Sequence, residues 1–284
     1  MDNLTFYNAT PSDNPPCYRL ENLPLFETYM FQNCPLAIVL TVEGSTRDFR
    51  SEISKHRPCN QVIIQHNKTF RNCSKKLFTA KVACDLYHAL TNAFTVALNK
   101  GVPRVCILED DFFMADYNKN LVENIDAFIQ EFNPSVYSLG SFFVTPATFF
   151  NANKTHVRCV HMNSAHAVIY SAQYMKQFIE YTLTNVNDCH VDQVWYKITP
   201  DDLWITVKPI AFQLMVPTEN SGEWSSWVDR KLFPLFKLDQ THDNWSMLMW
   251  WCIHRNCFLL LIILCSAIIL VLTVSIVMYI RLMC

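Results

Sequence analysis

The chain has 284 residues, and its 23 basic and 25 acidic side chains give a formal net charge of −2. This near-balance leaves no strongly basic face for nucleic-acid phosphates, so no nucleic-acid partner is expected. With only four glycines, the sequence has no Gly-rich phosphate loop, which excludes P-loop nucleotidases and dinucleotide-dependent oxidoreductases.

Residues 1–33 are rich in Asn and Pro and have no apolar periodicity, which predicts an irregular N-terminal arm. The arm lacks a basic segment followed by an apolar one, so it is not expected to act as a signal peptide. From residue 34 to residue 222, short apolar runs alternate with amphipathic segments. This alternation predicts an α/β domain with a mostly parallel sheet that is covered by helices on both faces.

The predicted elements follow one another closely along this domain. Strands are predicted at 36–41, 61–65, 105–108, 136–139, 167–170 and 204–208, and helices at 47–55, 79–100, 121–131, 172–184 and 190–197. The helix at 79–100 has the most regular pattern, with apolar residues such as Leu86, Leu90 and Ala93 recurring at spacings of three and four. Residues 140–160 predict a long loop with one edge strand.

An apolar run without charge, Pro or Gly occupies residues 257–280 and is closed by Arg281. A helix over this run would be about 36 Å long, enough to cross a hydrocarbon core of about 30 Å. Residues 223–256 are rich in Trp, which is favoured at membrane–water interfaces. The sequence therefore predicts a single-pass C-terminal membrane helix preceded by an aromatic juxtamembrane segment, with the lipid bilayer as a partner.

The side of the membrane is left open by the sequence. Insertion by the tail favours a cytosolic domain, whereas the N-x-S/T sequons and twelve cysteines fit a glycosylated, disulfide-bonded lumenal domain. The sequons are at Asn3, Asn8, Asn67, Asn72, Asn153 and Asn244. The candidate disulfide residues include Cys17, Cys34, Cys59, Cys73 and Cys84.

Three consecutive carboxylates, Glu109, Asp110 and Asp111, follow the strand predicted at 105–108. Apolar residues flank them on both sides, which is unusual for a solvated charge run. Carboxylate oxygens are hard ligands that suit Mg²⁺ or Mn²⁺, and the carboxyl ends of strands are where α/β sheets bind ligands. The pattern alone fits a divalent-cation site and, equally, a simple acidic turn.

The run ACDLYHALTNAFTVALNKGVPRVCILEDDF resembles the core of glycosyltransferase family 25, which includes lipopolysaccharide and procollagen galactosyltransferases. The family pattern is a helix bearing a Ser-His pair, a Gly turn, and an apolar strand ending in Glu-Asp-Asp. Four further segments match in order, namely LAIVLT with Arg47 behind it, SAHAVIYSAQYMKQFI, HVDQVW and KPIAFQ, so the resemblance covers about residues 35–215. Tyr87 departs from the pattern by replacing the Ser before His88, and Arg47 stands alone where the family has paired arginines.

The resemblance implies a GT-A-type fold, the nucleotide-diphospho-sugar transferase fold, with a Rossmann-like mixed sheet flanked by helices. The catalytic domain would span residues 34–222. The implied activity is inverting transfer of a hexose, galactose or glucose, from a UDP-sugar to a hydroxyl of a protein or glycan acceptor, assisted by Mn²⁺ or Mg²⁺. A version with a C-terminal anchor would suit a large DNA virus that glycosylates outside the host secretory route. The alternative is a catalytically inactive membrane protein that keeps the fold as a binding or structural component.

The resemblance also implies roles for individual residues. Asp111 would be the direct metal ligand, Asp110 would bind metal or ribose, and Glu109 would orient the turn. Asp192 is the candidate catalytic base. The other candidates are His190 and His166 as alternative bases, and Arg47, His88 and Gln213 as donor contacts.

Each histidine and Asp192 also has a purely structural interpretation. His88 lies on the more polar face of its predicted helix, where a solvated or capping residue is common. His166 precedes a strand, as many structural histidines do. Asp192 could N-cap the helical turn that follows it.

Overall fold

The computed structural model describes residues 17–69, 72–73, 82–115, 117–141, 144–147, 155–163, 165–185, 190–213 and 262–276. The strands are β1 (Tyr18–Asn22), β2 (Leu36–Val42), β3 (Gln61–Asn67), β4 (Arg104–Glu109), β5 (Phe112–Met114), β6 (Val136–Ser138), β7 (Val144–Pro146), β8 (His156–Met162), β9 (Ala167–Ser171), β10 (Leu203–Thr206) and β11 (Ala211–Gln213). The helices are α1 (Phe49–His56), α2 (Val82–Asn99), α3 (Lys119–Phe132), α4 (Ala172–Thr184) and α5 (Val191–Ile198). The α/β prediction is therefore confirmed.

Nine strands form one mixed sheet in the order β1-β3-β2-β4-β9-β6-β10-β8-β7, and β5 pairs with β11 in a second, small sheet. The strand β2 is parallel to β3 and to β4, and β6 is parallel to β10, while the other pairs are antiparallel. The expectation of a mostly parallel sheet is wrong, and the mixed sheet is observed instead. A short apolar run indicates a buried strand, but it does not encode the strand's direction.

Helices cover both faces of the large sheet. Apolar residues of α2, α4 and α5 pack on one face, and those of α1 and α3 pack on the other. Side chains of β4 alternate between these layers, with Ile107 on the α2/α4/α5 side and Leu108 on the α1/α3 side. This alternation assigns the next side chain, Glu109, to the α2/α4/α5 side.

The centre of the sheet contains a topological switch point. The chain leaves β2 through α1 to reach β3 on one side, and it returns through α2 to β4 on the other side of β2. The connecting helices α1 and α2 lie on opposite faces of the sheet. A crevice is expected at such a point, outside the carboxyl ends of the strands, and it is where open α/β sheets bind ligands.

The strand β1 lies within residues 1–33, where an irregular arm was expected. It pairs antiparallel with β3 at the edge of the sheet. Glu21 of β1 accepts a hydrogen bond from Arg50 of α1 at 2.8 Å, and His66 of β3 lies 3.0 Å from the same carboxylate. The strand is mostly polar and partly exposed, so it has no apolar alternation by which it could be predicted.

A disulfide between Cys17 and Cys73 ties the residue before β1 to the chain beyond β3. Cys84 is also disulfide-bonded. Disulfides persist in oxidising compartments. These bonds therefore fit the expectation of a disulfide-bonded domain better than that of a domain with reduced cysteines. The sequon residue Asn67 is buried and donates a hydrogen bond to the carbonyl oxygen of Thr41 at 2.9 Å, so it is not accessible for glycosylation in the folded chain.

The described part of the C-terminal region is a helix over 262–276 with exposed apolar side chains. Among the described residues, no helix is both long enough and apolar enough to cross a membrane. The predicted membrane helix at 257–280, and with it the single-pass membrane location, is therefore wrong. The aromatic segment at 223–256 lies outside the described residues.

Candidate functional site

The acidic turn lies at the carboxyl end of β4, beside the switch point. Glu109 ends β4, and Asp110 and Asp111 connect it to β5. The backbone N–H of Glu109 donates to the carbonyl of His166 at 2.8 Å, and that of Asp110 donates to the carbonyl of Leu40 at 3.0 Å. The turn is therefore fixed between β2 and the residue that precedes β9.

Asp110 is held by two residues from the end of β2 and the loop that follows it. Thr41 donates its hydroxyl hydrogen to Oδ2 of Asp110 at 2.7 Å, and Nη1 of Arg47 donates to Oδ1. Both carboxylate oxygens are thus engaged. Arg47 was expected near the site, but Thr41 was not, because a Thr at the end of an apolar strand has no distinguishing pattern.

Asp111 is almost fully buried, with a relative exposure of 2%. Gln213 of β11 donates to Oδ2 of Asp111 at 3.2 Å, and Nη1 of Arg47 lies 3.7 Å from the same oxygen. Oδ1 of Asp111 is buried and has no hydrogen-bond partner among the residues that the structure describes. Burial raises the pKa of Asp111 to about 6, although the Gln213 hydrogen bond and the Arg47 charge act in the opposite direction.

Gln213 reaches Asp111 through the small second sheet. Gln213 lies directly opposite Phe112 in the antiparallel pairing of β11 with β5. Phe112 is the residue that follows Asp111 in the chain. Gly140 makes the approach of β11 possible, because a Cβ atom at this position would overlap the carbonyl oxygen of Ala211. The position of Gln213 therefore depends on a close backbone contact between Gly140 and β11.

Glu109 differs from its neighbours in its surroundings. Burial raises the pKa of its carboxyl well above the usual range, and the charges of Asp111 and Asp110 act in the same direction, while Arg47 opposes them. The charge of Asp192 adds a smaller contribution of the same sign. These contributions favour the neutral form of the Glu109 carboxyl. The negative charge of Asp192 is one of them, so Asp192 interacts electrostatically with Glu109.

Asp192 lies in the first turn of α5. The N-cap position belongs to His190, which makes no side-chain capping bond, so Asp192 is not the N-cap. Burial raises the pKa of Asp192, while the charges of His190 and His161 and the backbone N–H of Gln193 lower it. His161 of β8 was not predicted, because residues 140–160 were interpreted as a loop and β8 extends beyond them.

The other histidines differ in burial. His166 is buried, its Nε2 lies 3.4 Å from the carbonyl oxygen of Ala211, and its Nδ1 has no hydrogen-bond partner. Burial lowers the pKa of His166 to about 4, so the ring is neutral near pH 7. His88 is buried within α2, which differs from the polar, solvated face expected for it, and His190 is exposed.

The fold thus brings five of the predicted site residues into one cluster. These are Arg47, Glu109, Asp110, Asp111 and Gln213. Asp192 lies in α5, whose apolar residues pack on the α2/α4/α5 side, and its charge contributes to the pKa shift of Glu109. His166 lies behind the turn, between β4 and β11, where it contacts backbone.

The donor set can be tested against a divalent cation. Among the described residues, no group of three or more His, Cys, Asp or Glu side chains is arranged to hold a metal ion. Three of the four oxygens of Asp110 and Asp111 accept hydrogen bonds, and the fourth, Oδ1 of Asp111, has no partner in the described ranges. Since Mg²⁺ is commonly bound through one or two carboxylates plus substrate phosphates, this oxygen fits the role of a single protein ligand.

Neither a protein-family model nor a curated protein sequence matches the chain significantly. Similar solved structures include A197 from STIV, with 10% identity, a TM-score of 0.39, and coverage of 61% of this chain and 81% of that one. Apo UDP-glucose pyrophosphorylase has 8% identity, a TM-score of 0.35, and coverage of 61% and 73%. A glycosyltransferase involved in glycosylation of the major capsid of PBCV-1 has 9% identity, a TM-score of 0.30, and coverage of 66% and 96%. Membership of glycosyltransferase family 25 stays a prediction, and the function is argued from the site.

Proposed function

We propose that the chain is an inverting glycosyltransferase that moves a hexose, galactose or glucose, from a UDP-sugar to a hydroxyl group of a protein or glycan. The supporting observation is the acidic turn at the switch point, where Arg47 and Gln213 converge on Asp110 and Asp111. A nucleotide diphosphate needs a crevice at the carboxyl edge of the sheet and positive charge near its phosphates. A crevice is expected at the switch point, and Arg47 would contribute the positive charge.

The acidic turn and Arg47 would bind the donor diphosphate. Oδ1 of Asp111 would ligate Mn²⁺ or Mg²⁺, and Asp110 would hold the end of β2 through Thr41. When bound, the cation offsets the negative charge that develops on the departing diphosphate. Glu109, whose neutral form is favoured, would orient the turn without adding a third negative charge.

Asp192 would act as the catalytic base. As the acceptor oxygen attacks the anomeric carbon, the bond from that carbon to the diphosphate oxygen breaks, and Asp192 takes the hydroxyl proton. Burial raises the pKa of Asp192, which makes its carboxylate a stronger base, while the charges of His190 and His161 act in the opposite direction and support its ionised form. His166 is less suited, because its ring packs against the backbone of Ala211 behind the turn.

The test is release of UDP by the full chain from a panel of UDP-sugars with Mn²⁺. Wild-type protein should release UDP, and EDTA should stop the reaction. Asp111→Ala should lower the rate at least about 100-fold, in the range for loss of a charge-stabilising group. The matched control is Asp201→Ala, which removes an exposed carboxylate and should leave the rate unchanged.

Two outcomes would contradict the proposal. If the wild-type protein binds UDP-sugars but releases no UDP, with or without candidate acceptors, the chain is an inactive binding or structural component. If it turns over but Asp111→Ala is as active as Asp201→Ala, the reaction takes place away from the acidic turn.

A further inference from the structure

Arg47 occupies the position at which a cation would neutralise the acidic turn. Its Nη1 donates to Oδ1 of Asp110 and lies 3.7 Å from Oδ2 of Asp111. The guanidinium therefore interacts with both carboxylates at once. Within the described part of the chain, Oδ1 of Asp111 has no hydrogen-bond partner in this arrangement, and Asp111 is only 2% exposed.

A divalent cation on Oδ1 of Asp111 would lie within a few ångström of this guanidinium. Like charges at such a distance repel strongly when water is largely excluded from around them. The cation and Arg47 therefore cannot both be held tightly by the same pair of carboxylates. Either the cation or the Arg47 guanidinium has to leave these carboxylates, and the exposure of the side chains indicates that Arg47 can.

Arg47 is the movable member of the cluster. It extends from the loop after β2, and its side chain is 26% exposed, whereas those of Asp110 and Asp111 are 8% and 3% exposed. Asp110 keeps its hydrogen bond from Thr41 without Arg47, and Asp111 keeps its hydrogen bond from Gln213. The carboxylates would thus hold their positions if the guanidinium moved to another anion.

We propose that Arg47 is an internal counter-ion that excludes divalent cations from Asp111 until the donor diphosphate draws the guanidinium away. Guanidinium groups bind phosphate oxygens in a bidentate manner, so the diphosphate is a suitable new partner for Arg47. Nucleotide and metal then bind cooperatively, and each raises the affinity for the other by the same factor. The inference rests on the proposed function, because it takes a nucleotide diphosphate as the ligand.

The experiment is an Mn²⁺ titration of the full chain, followed by the electron paramagnetic resonance signal of free Mn²⁺, with and without UDP. Wild-type protein should bind Mn²⁺ weakly alone and at least about tenfold more tightly with UDP. Arg47→Gln should bind Mn²⁺ about tenfold more tightly than wild type without UDP, and UDP should add little. Arg47→Lys keeps the positive charge and should stay close to wild type.

Two further variants control for indirect effects. Arg50→Gln removes an arginine of α1 that pairs with Glu21, away from the turn, and should bind Mn²⁺ as wild type does. Adding Asp111→Asn to Arg47→Gln should abolish the gain, because the proposed ligand is lost. A thermal melt of each variant checks that the protein is folded at the temperature of the Mn²⁺ titration.

The inference is overturned if Arg47→Gln binds Mn²⁺ no more tightly than wild type, or if UDP leaves the Mn²⁺ affinity of wild type unchanged. It is overturned as well if no variant binds Mn²⁺ under any condition. UDP release from UDP-sugars would in that case still support a transferase that uses Arg47 without metal. Conversely, coupled binding of Mn²⁺ and UDP without any sugar transfer would refute the proposed transferase activity. The inference that Arg47 excludes the cation until the diphosphate binds would still stand.

Discussion

Replacement of Asp111 by Asn should stabilise the folded protein at neutral pH while abolishing sugar transfer. Asp111 is almost fully buried, and one of its carboxylate oxygens has no partner. Burial raises its pKa from the usual 3.8 to about 6. This carboxyl group holds its proton more tightly in the folded state than in the unfolded state. Its ionisation therefore lowers the free energy of unfolding of the protein.

The sign and the pH range follow from this shift. Below about pH 4 the carboxyl is protonated in both states, and its ionisation has no effect on stability. Between about pH 4 and pH 6 the unfolded state loses the proton first, so wild-type stability falls as the pH rises. The shift of about two pKa units corresponds to about 3 kcal/mol, which is the upper estimate for the advantage of Asp111→Asn at pH 7.5.

Urea unfolding of both proteins at pH 4, 5, 6 and 7.5, followed by far-UV circular dichroism, measures this difference. The Asn oxygen can still accept the hydrogen bond from Gln213, so the replacement changes little besides the charge. The control Asp201→Asn alters an exposed residue and should change stability by less than about 0.5 kcal/mol. If Asp111→Asn is less stable at pH 7.5, or if its difference from wild type does not vary with pH, the carboxylate is compensated in the folded state and the reasoning fails.

Three other variants test the geometry around the turn. Gly140→Ala would push a methyl group into the carbonyl of Ala211, so we expect a loss of about 2–3 kcal/mol in urea unfolding and weaker donor binding; an unchanged unfolding midpoint would contradict the close contact. Asp192→Asn should lower kcat at least about 100-fold with an unchanged Kd for UDP in calorimetry, whereas a loss of UDP binding would assign Asp192 to the donor site instead. Cys17→Ala removes the disulfide to Cys73 and should lower the free energy of unfolding by about 2–4 kcal/mol under oxidising conditions, and equal stability would show that the bond is dispensable.

The central strands and the main helices could be predicted because their signals are local. The runs that form β2 and β4 are apolar, short and bounded by turn residues, and α2 repeats its apolar residues at the helical period. The acidic turn was also located correctly, since it follows β4 directly in the chain. Gln213 was included through the resemblance alone, because the strand that carries it lies far from the turn in sequence.

What could not be predicted depends on contacts between distant segments. The strand β1 is polar and is held by pairing with β3 and by the Glu21 hydrogen bonds, which leave no periodic pattern. The strands β7 and β8 replace the single edge strand expected in the aromatic segment at 140–160, and His161 was missed for that reason.

The charges of the site themselves argue against a simple nucleotide-binding role. When ionised, Asp110 and Asp111 carry two negative charges, and Arg47 compensates one of them. A diphosphate brought to this crevice adds further negative charge at short range, which is unfavourable unless a second cation joins it. A protein that only held a nucleotide would be better served by neutral donors and basic residues than by a buried carboxylate that lowers its stability. Under the proposed function, a divalent cation held by Asp111 would account for this buried carboxylate, because such a cation would stabilise charge as the diphosphate leaves.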